Sequence, residues 1–194
     1  MGLLRQQKSF LKKMEILETV EKLVLENNQE VAIHELAAAL DMAKGTIYKS
    51  FSSKNHLYLE LLILNEKRLL DFAKNYKKDI QESVTTYMLY HMRESNRTVL
   101  FHAIEERITN TETKLQKLFE ELYGIREQRI LELKELVSHH LSTYESKISV
   151  RDYLSYVWTI TYGASLLLSS TYYQKSVGDR TDLMNFYIKQ ALRV

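Results

Sequence analysis

Residues Ile33–Lys54 read IHELAAALDMAKGTIYKSFSSK. The apolar spacing predicts two short amphipathic helices in this stretch. The first covers Ile33–Leu40, with Leu36, Ala37 and Leu40 on its inner face. Asp41-Met42-Ala43 makes a tight connection, and a second helix, Lys44–Phe51, turns Ile47 and Phe51 inward. Two short helices crossing steeply through so brief a turn need a small residue at the crossing, and Ala37 supplies one. Apolar side chains must flank that point, as Leu36, Leu40, Met42 and Ile47 do. The outward side of the second helix is polar or basic at Lys44, Thr46, Tyr48, Lys49 and Ser50. That is what a helix-turn-helix needs if its second helix is to enter a major groove. Any short amphipathic hairpin would share the bare pattern, so the neighbouring sequence has to carry the distinction.

Upstream, a helix over about Gln7–Glu26 presents Met14, Leu17, Val20 and Val24 at i, i+3, i+7 spacing, widened by Ile16 and Leu23. Asn27-Asn28 is its stop, because Asn tolerates a left-handed backbone. Downstream, Ser52-Ser53 breaks the chain, and either serine could cap a fourth helix over Lys54–Tyr76. Further helices are expected over Ile80–Arg93, Asn96–Ile108, Thr111–Tyr144, Val150–Gln174 and Thr181–Leu192. Ser149-Val150-Arg151-Asp152 reads as a capping box with Asp in place of Glu. The expected organisation is a helix-turn-helix domain over residues 1–53 and a larger helical domain over residues 54–194, joined by a continuous helix.

Composition agrees with an all-α class. The 194 residues include no proline and five glycines, so the strong helix breakers are nearly absent. There is no cysteine, which excludes disulfides and thiolate metal sites. The net charge of +2 is uninformative, but its placement is not. Arg5, Lys8, Lys12 and Lys13 precede the first acid, and Lys44, Lys49 and Lys54 lie in an acid-free stretch from Met42 to Leu59. These patches form a phosphate-binding surface only if the fold brings them together; otherwise they are solvated helix ends. No secretory leader is evident, so a cytoplasmic protein is expected. Tyr153–Gln174 has no formal charge and could span a bilayer by length. Its many hydroxyl groups fit a helix buried by protein instead, and no membrane partner is expected.

The local sequence is more specific than the pattern. Lys44-Gly45-Thr46-Ile47-Tyr48-Lys49-Ser50-Phe51-Ser52-Ser53-Lys54, followed by Leu57, closely resembles the signature of the TetR family of bacterial transcriptional regulators. The detailed resemblance spans about Lys13–Leu61. It departs from the family at Asp41, where Gly is usual in the turn, and at Ala43, where Ser or Thr usually caps the third helix. Val31 also stands where a capping Thr is usual. Each departure weakens local capping by about 1 kcal/mol. The resemblance implies double-stranded operator DNA as a partner. It implies that Thr46 and the backbone at Gly45 touch phosphate or base edges. Tyr48 contacts phosphate through its hydroxyl, and Lys49 and Ser50 make sequence-dependent contacts, with Lys44 adding to either kind. Lys54 grips phosphate at the start of the fourth helix, and Lys12 and Lys13 extend the footprint. Read without the resemblance, Tyr48 is a core tyrosine, and Lys12 and Lys13 are a solvated arm.

The resemblance also implies a homodimer through the last two helices. Gly163 and Ala164 permit close approach there, and Trp158, Leu166, Leu167, Leu183, Phe186 and Tyr187 supply apolar area. In the middle helices Tyr87, His91, Phe101, His102, Tyr123, Trp158 and Tyr162 could line a pocket for a small-molecule effector. Singly, each reads first as core packing. His102 with Glu105 and Glu106 lacks a clear third ligand, so no metal site is expected. No nucleophile elbow or phosphate-binding glycine loop occurs, so neither catalysis nor a cofactor is expected. The functional expectation is a repressor released from a palindromic operator by a small molecule. The alternative is a DNA-bound protein whose larger domain recruits a protein partner and takes no inducer.

Overall fold

The computed structural model describes residues 2–75, 79–176 and 178–193. Every regular element among them is a helix: α1 Gly2–Asn27, α2 Ile33–Ala39, α3 Lys44–Tyr48, α4 Lys54–Asn75, α5 Ile80–Arg93, α6 Ser95–Thr111, α7 Gln116–Thr143, α8 Val150–Ser169, α9 Thr171–Ser176 and α10 Arg180–Ala191. The expected extension of α4 to Tyr76 falls outside the described residues.

Helix ends follow the local chemistry. Asn28 takes a left-handed backbone (φ 51°) and stops α1. Asp79, Ser149 and Asp179 each accept backbone N–H groups at the starts of α5, α8 and α10. Asp152 answers Ser149 in the anticipated capping box. Ser53 caps α4 by accepting from the His56 N–H at 3.0 Å. Three expected helices differ. Past Tyr48, α3 tightens into a turn, although the Phe51 N–H still reaches the Ile47 carbonyl at 3.0 Å. The helix expected from Thr111 starts at Gln116, because Glu112 folds back to accept from the Lys114 N–H at 2.9 Å. The helix expected over Val150–Gln174 breaks at Ser170, whose extended backbone (ψ 117°) separates α8 from α9.

Two apolar clusters organise the chain. One joins α1–α3 to α4, α6 and the start of α7, through Ile16, Val20, Leu36, Ile47, Phe51, Leu57, Leu61, Ile104, Ile108 and Leu122. The other joins α5, α7, α8 and α10 through Met88, Met92, Val137, Tyr153, Val157 and Leu168. The small helical unit therefore shares its core with the larger one instead of hanging from a linker. Arg180 ties the far end together: its guanidinium donates to the Leu168 carbonyl (2.8 Å) and to the Met92 and Arg93 carbonyls (2.8 and 3.0 Å). It thus satisfies the last turns of α8 and α5 at once.

Candidate functional site

The turn between α2 and α3 closes as a Schellman motif. The Met42 N–H reaches the Ala37 carbonyl (2.9 Å) and the Asp41 N–H the Ala38 carbonyl (3.2 Å), with Asp41 left-handed at φ 49°. Asp41 therefore adopts the conformation for which Gly is usual, at some steric cost. Ala43 stands at the start of α3 without a side-chain cap. The cap residue of α2 is Ala32, not Val31, and Glu35 reaches back to accept its N–H at 2.7 Å, which supplies half of a capping box. Val31 instead is buried. Its N–H donates to the Tyr58 hydroxyl (2.7 Å), which donates in turn to the Val31 carbonyl (3.3 Å). Burial pushes the Tyr58 hydroxyl up to about 12, so it stays a neutral donor.

With Ile47 and Phe51 anchored in the core, the opposite side of α3 faces solvent. Lys44, Gly45, Tyr48 and Lys49 are exposed there, and Thr46 and Ser50 half-buried. A Cβ built on Gly45 meets nothing within 4 Å, so this side carries no packing of its own. The Tyr48 ring is 47% exposed and is not a core tyrosine. Lys12 is half-buried, and the other two cations are engaged. Lys54 lies 3.0 Å from Glu30 and over the Tyr58 ring, and Lys13 donates to Glu60.

Charged contacts join this unit to the larger one. Arg107 on α6 grips Glu30 with two hydrogen bonds (2.6 and 3.1 Å) and donates to Asn55 on α4 (3.0 Å). Arg68 on α4 donates to both oxygens of Glu21 on α1 at 2.8 Å.

Behind α4 lies a cavity of about 630 Å³, walled by α4, α5, α6, α7 and α8. Tyr87, His91, Phe101, His102, Tyr123 and Trp158 line it, whereas Tyr162 stands behind the wall, stacked on Trp158 and edge-on to His102. Leu62, Leu69, Ile80 and Val84 give it apolar area. Part of the wall is charged, and Glu66, Arg126 and Arg129 in it were not anticipated from sequence. Arg126 holds Glu105 with two hydrogen bonds (2.6 and 2.7 Å) and Glu66 with a third (3.0 Å). Arg129 approaches the other Glu66 oxygen at 3.6 Å. Burial works against the Arg126 charge, but its bonds to Glu105 and Glu66 outweigh that and keep it protonated. Burial, reinforced by Arg129 and Arg97, lowers His91 to about 3, so its ring is neutral. A signal was present: Asn65 and Glu66 interrupt the buried stripe of α4, and Arg126 and Arg129 sit in register with Leu122, Leu133 and Val137 on α7. Among the described residues no group of three His, Asp or Glu is placed to hold a metal ion, and no helix is long and apolar enough to cross a membrane.

A short helix pair with a free basic side, rooted in the same core as a helical body, defines an all-helical DNA-binding regulator of the helix-turn-helix type. Residues 16–61 match the family described as bacterial regulatory proteins, tetR family, so the chain carries a helix-turn-helix segment similar to that of the TetR family. A comparison with curated protein sequences finds no match. Solved structures share the whole fold. The transcriptional regulator FadR from Bacillus subtilis, in complex with stearoyl-CoA, has a TM-score of 0.62 at 14% identity, over 93% of this chain and 97% of that one. The TetR-family regulator PfmR from Thermus thermophilus has a TM-score of 0.63 at 16% identity, over 92% and 97%. Salmonella enterica GusR has a TM-score of 0.60 at 18% identity, over 94% and 95%.

Proposed function

We propose that the chain is a homodimeric repressor, released from a palindromic operator when a small molecule fills the cavity. The observation that carries this reading is the shared wall. The cavity is lined by Leu62, Asn65, Glu66 and Leu69 of α4 and by Thr98, Phe101 and Glu105 of α6. The same two helices grip the DNA-binding unit at Val31, Glu30 and Glu21. A ligand that separates α4 from α6 thus acts on the helices that aim α3. The FadR structure, with its bound stearoyl-CoA, is an example of this fold carrying a ligand.

In this reading Thr46, Tyr48, Lys49 and Ser50 meet the duplex first, with Gly45 allowing close approach and Lys44, Lys12, Lys13 and Lys54 adding phosphate contacts. One such unit contacts too little DNA for tight specific binding, and a second copy doubles the contacts. The pairing surface is the stripe of Tyr156, Leu166 and Phe186 on α8 and α10, which are 37%, 43% and 53% exposed. A concentration-independent monomer in ultracentrifugation would remove this part.

The test selects bound duplexes from a random pool and then screens compounds for release. A two-fold-symmetric site is expected. An effector that binds one arrangement better, with coupling of about 1–3 kcal/mol, lowers operator affinity about 5–150-fold. An operator affinity that no cavity-binding compound changes favours a protein-recruiting role instead.

A further inference from the structure

The charged side chains of the cavity wall balance. Arg97, Arg126, Arg129 and Arg151 line it together with Glu66, Glu105, Glu106 and Glu127. Most of these charges are held by the protein itself. Arg126 gives two hydrogen bonds to Glu105 and one to Glu66, and Arg129 lies 3.6 Å from Glu66. Arg97 donates to the Tyr90 carbonyl at 2.9 Å and stacks on the Tyr90 ring. Arg151 and Glu127 pair at the rim, where both are exposed, and Glu106 is exposed as well. The inner charges are therefore committed to neighbours, and those at the rim are solvated.

That arrangement sets a condition on any occupant. An enclosed anion can pair with Arg126 only by drawing it from Glu66 and Glu105, whose side chains are 9% and 13% exposed. An enclosed cation reaches the same carboxylates only by displacing Arg126. Either exchange leaves a largely buried charge without its partner, which is costly. An uncharged occupant disturbs none of them. The rest of the wall is made of rings and alkyl groups. Tyr87 and Trp158 meet the His91 ring edge to face, with centres 4.8 and 5.2 Å away, and Phe101 stands in the same wall. The neutral His91 ring adds no charge. Such rings gain by covering another ring or an alkyl chain. At about 630 Å³ the cavity falls within the range of small-molecule sites, about 300–1,000 Å³.

We propose that the cavity encloses an uncharged arene and discriminates against isosteres of either charge. This rests on reading the cavity as the effector site and names the chemistry of its occupant. The exclusion comes from the pairing of Arg126 with Glu66 and Glu105, so altering that pairing should alter the selectivity in a direction fixed by the sign of the charge removed.

Trp158 is the only tryptophan of the chain and lines the cavity, so its emission reports occupancy without a label. The probes are 4-butylbenzamide and diphenylacetamide, each beside the carboxylate and the amidine of the same shape. They are titrated into the full chain at neutral pH, with calorimetry as a second readout. At least one amide should bind, with its carboxylate and its amidine each weaker by about tenfold or more. Glu105→Gln removes a carboxylate beside Arg126. It should narrow the gap between amide and carboxylate and widen the gap between amide and amidine. A general loss of structure cannot move the two gaps in opposite directions. The comparison of amide with its charged isosteres uses the unaltered protein, so it stands even if the variant misfolds. A carboxylate or an amidine that binds as tightly as its amide overturns the proposal. So does silence from both amides, or a Glu105→Gln variant that folds and shifts both gaps the same way. Titration needs no DNA, so the two readings fail separately. Amides that bind without changing duplex affinity sink the release mechanism alone. Charged compounds that fill the cavity and release the duplex sink the uncharged occupant alone.

Discussion

The outer side of α3 and the wall of the cavity both collect cations, and they handle them in opposite ways. Lys44 and Lys49 stand in solvent without an acidic partner, while Arg126 and Arg129 are drawn inside and set against carboxylates. Water already stabilises a surface lysine, so leaving it unpaired costs little and keeps it available to a polyanion. An interior guanidinium has lost that water and needs neighbours to offset the loss. Charge at the DNA end is therefore free for binding, whereas charge in the cavity is structural.

Arg126→Met breaks this contrast most strongly. It leaves Glu66 and Glu105, 9% and 13% exposed at their side chains, without their main partner. Removing one member of a buried pair costs about 3–5 kcal/mol, and the lower end applies because Arg126 is 29% exposed. Urea unfolding measures it. A loss under about 1 kcal/mol would mean that water reaches both carboxylates freely.

His91 gives the next largest effect, through pH. Its folded value, about 3, lies below the ordinary histidine value of 6.5. Below pH 6.5 the unfolded chain takes up a proton that the folded chain refuses, so stability falls as the pH drops through that window toward 3. Between about pH 7 and pH 5 the loss from this residue is about 2 kcal/mol. His91→Gln should remove that share of the pH dependence. An unchanged profile would show that the folded ring protonates.

At the DNA end the same kind of truncation should leave folding alone. Lys49→Ala should change unfolding free energy by less than about 0.5 kcal/mol, because the residue is exposed. Its effect should appear as altered discrimination between the selected operator and single-base variants. A uniform loss across all duplexes would reassign Lys49 to phosphate contact.

The two ends also differed in how far they could be read from sequence. The basic side of α3 was legible because exposure needs only a local period: Ile47 and Phe51 point in, so Lys44, Tyr48 and Lys49 point out. The same logic gave most helix limits, since Asn28, Ser53 and Ser149 act on the turns beside them. The breaks at Glu112 and Ser170 escaped because neither residue is a strong breaker. Of the ring residues grouped in the sequence, six line the cavity, and Tyr162 packs on two of them, Trp158 and His102. The pairing of Arg126 with Glu66 and Glu105 depends on how α4, α6 and α7 are rotated. It surfaces in sequence only as charge on an apolar stripe. The clamp of Arg107 on Glu30 joins residues far apart in the chain and leaves no local trace.

Glu30 gives the smallest effect, and it tests where the contrast blurs. Lys54 belongs to the basic end but lies 3.0 Å from Glu30, which Arg107 also holds. If a phosphate must draw Lys54 away, Glu30 competes with the DNA. Lys54→Ala should weaken binding to every duplex alike and reduce the salt slope by about one. Glu30→Gln should strengthen duplex binding a few-fold at low salt, since an exposed pair of this kind is worth only about 0.2–1 kcal/mol. The double variant decides the cause: if Glu30 acts by restraining Lys54, Glu30→Gln gains nothing once Lys54 is alanine. An equal gain in both backgrounds would mean that Glu30 acts through the general field of the surface, or through the hold of Arg107 on the α1–α2 loop, and that Lys54 is not the phosphate contact.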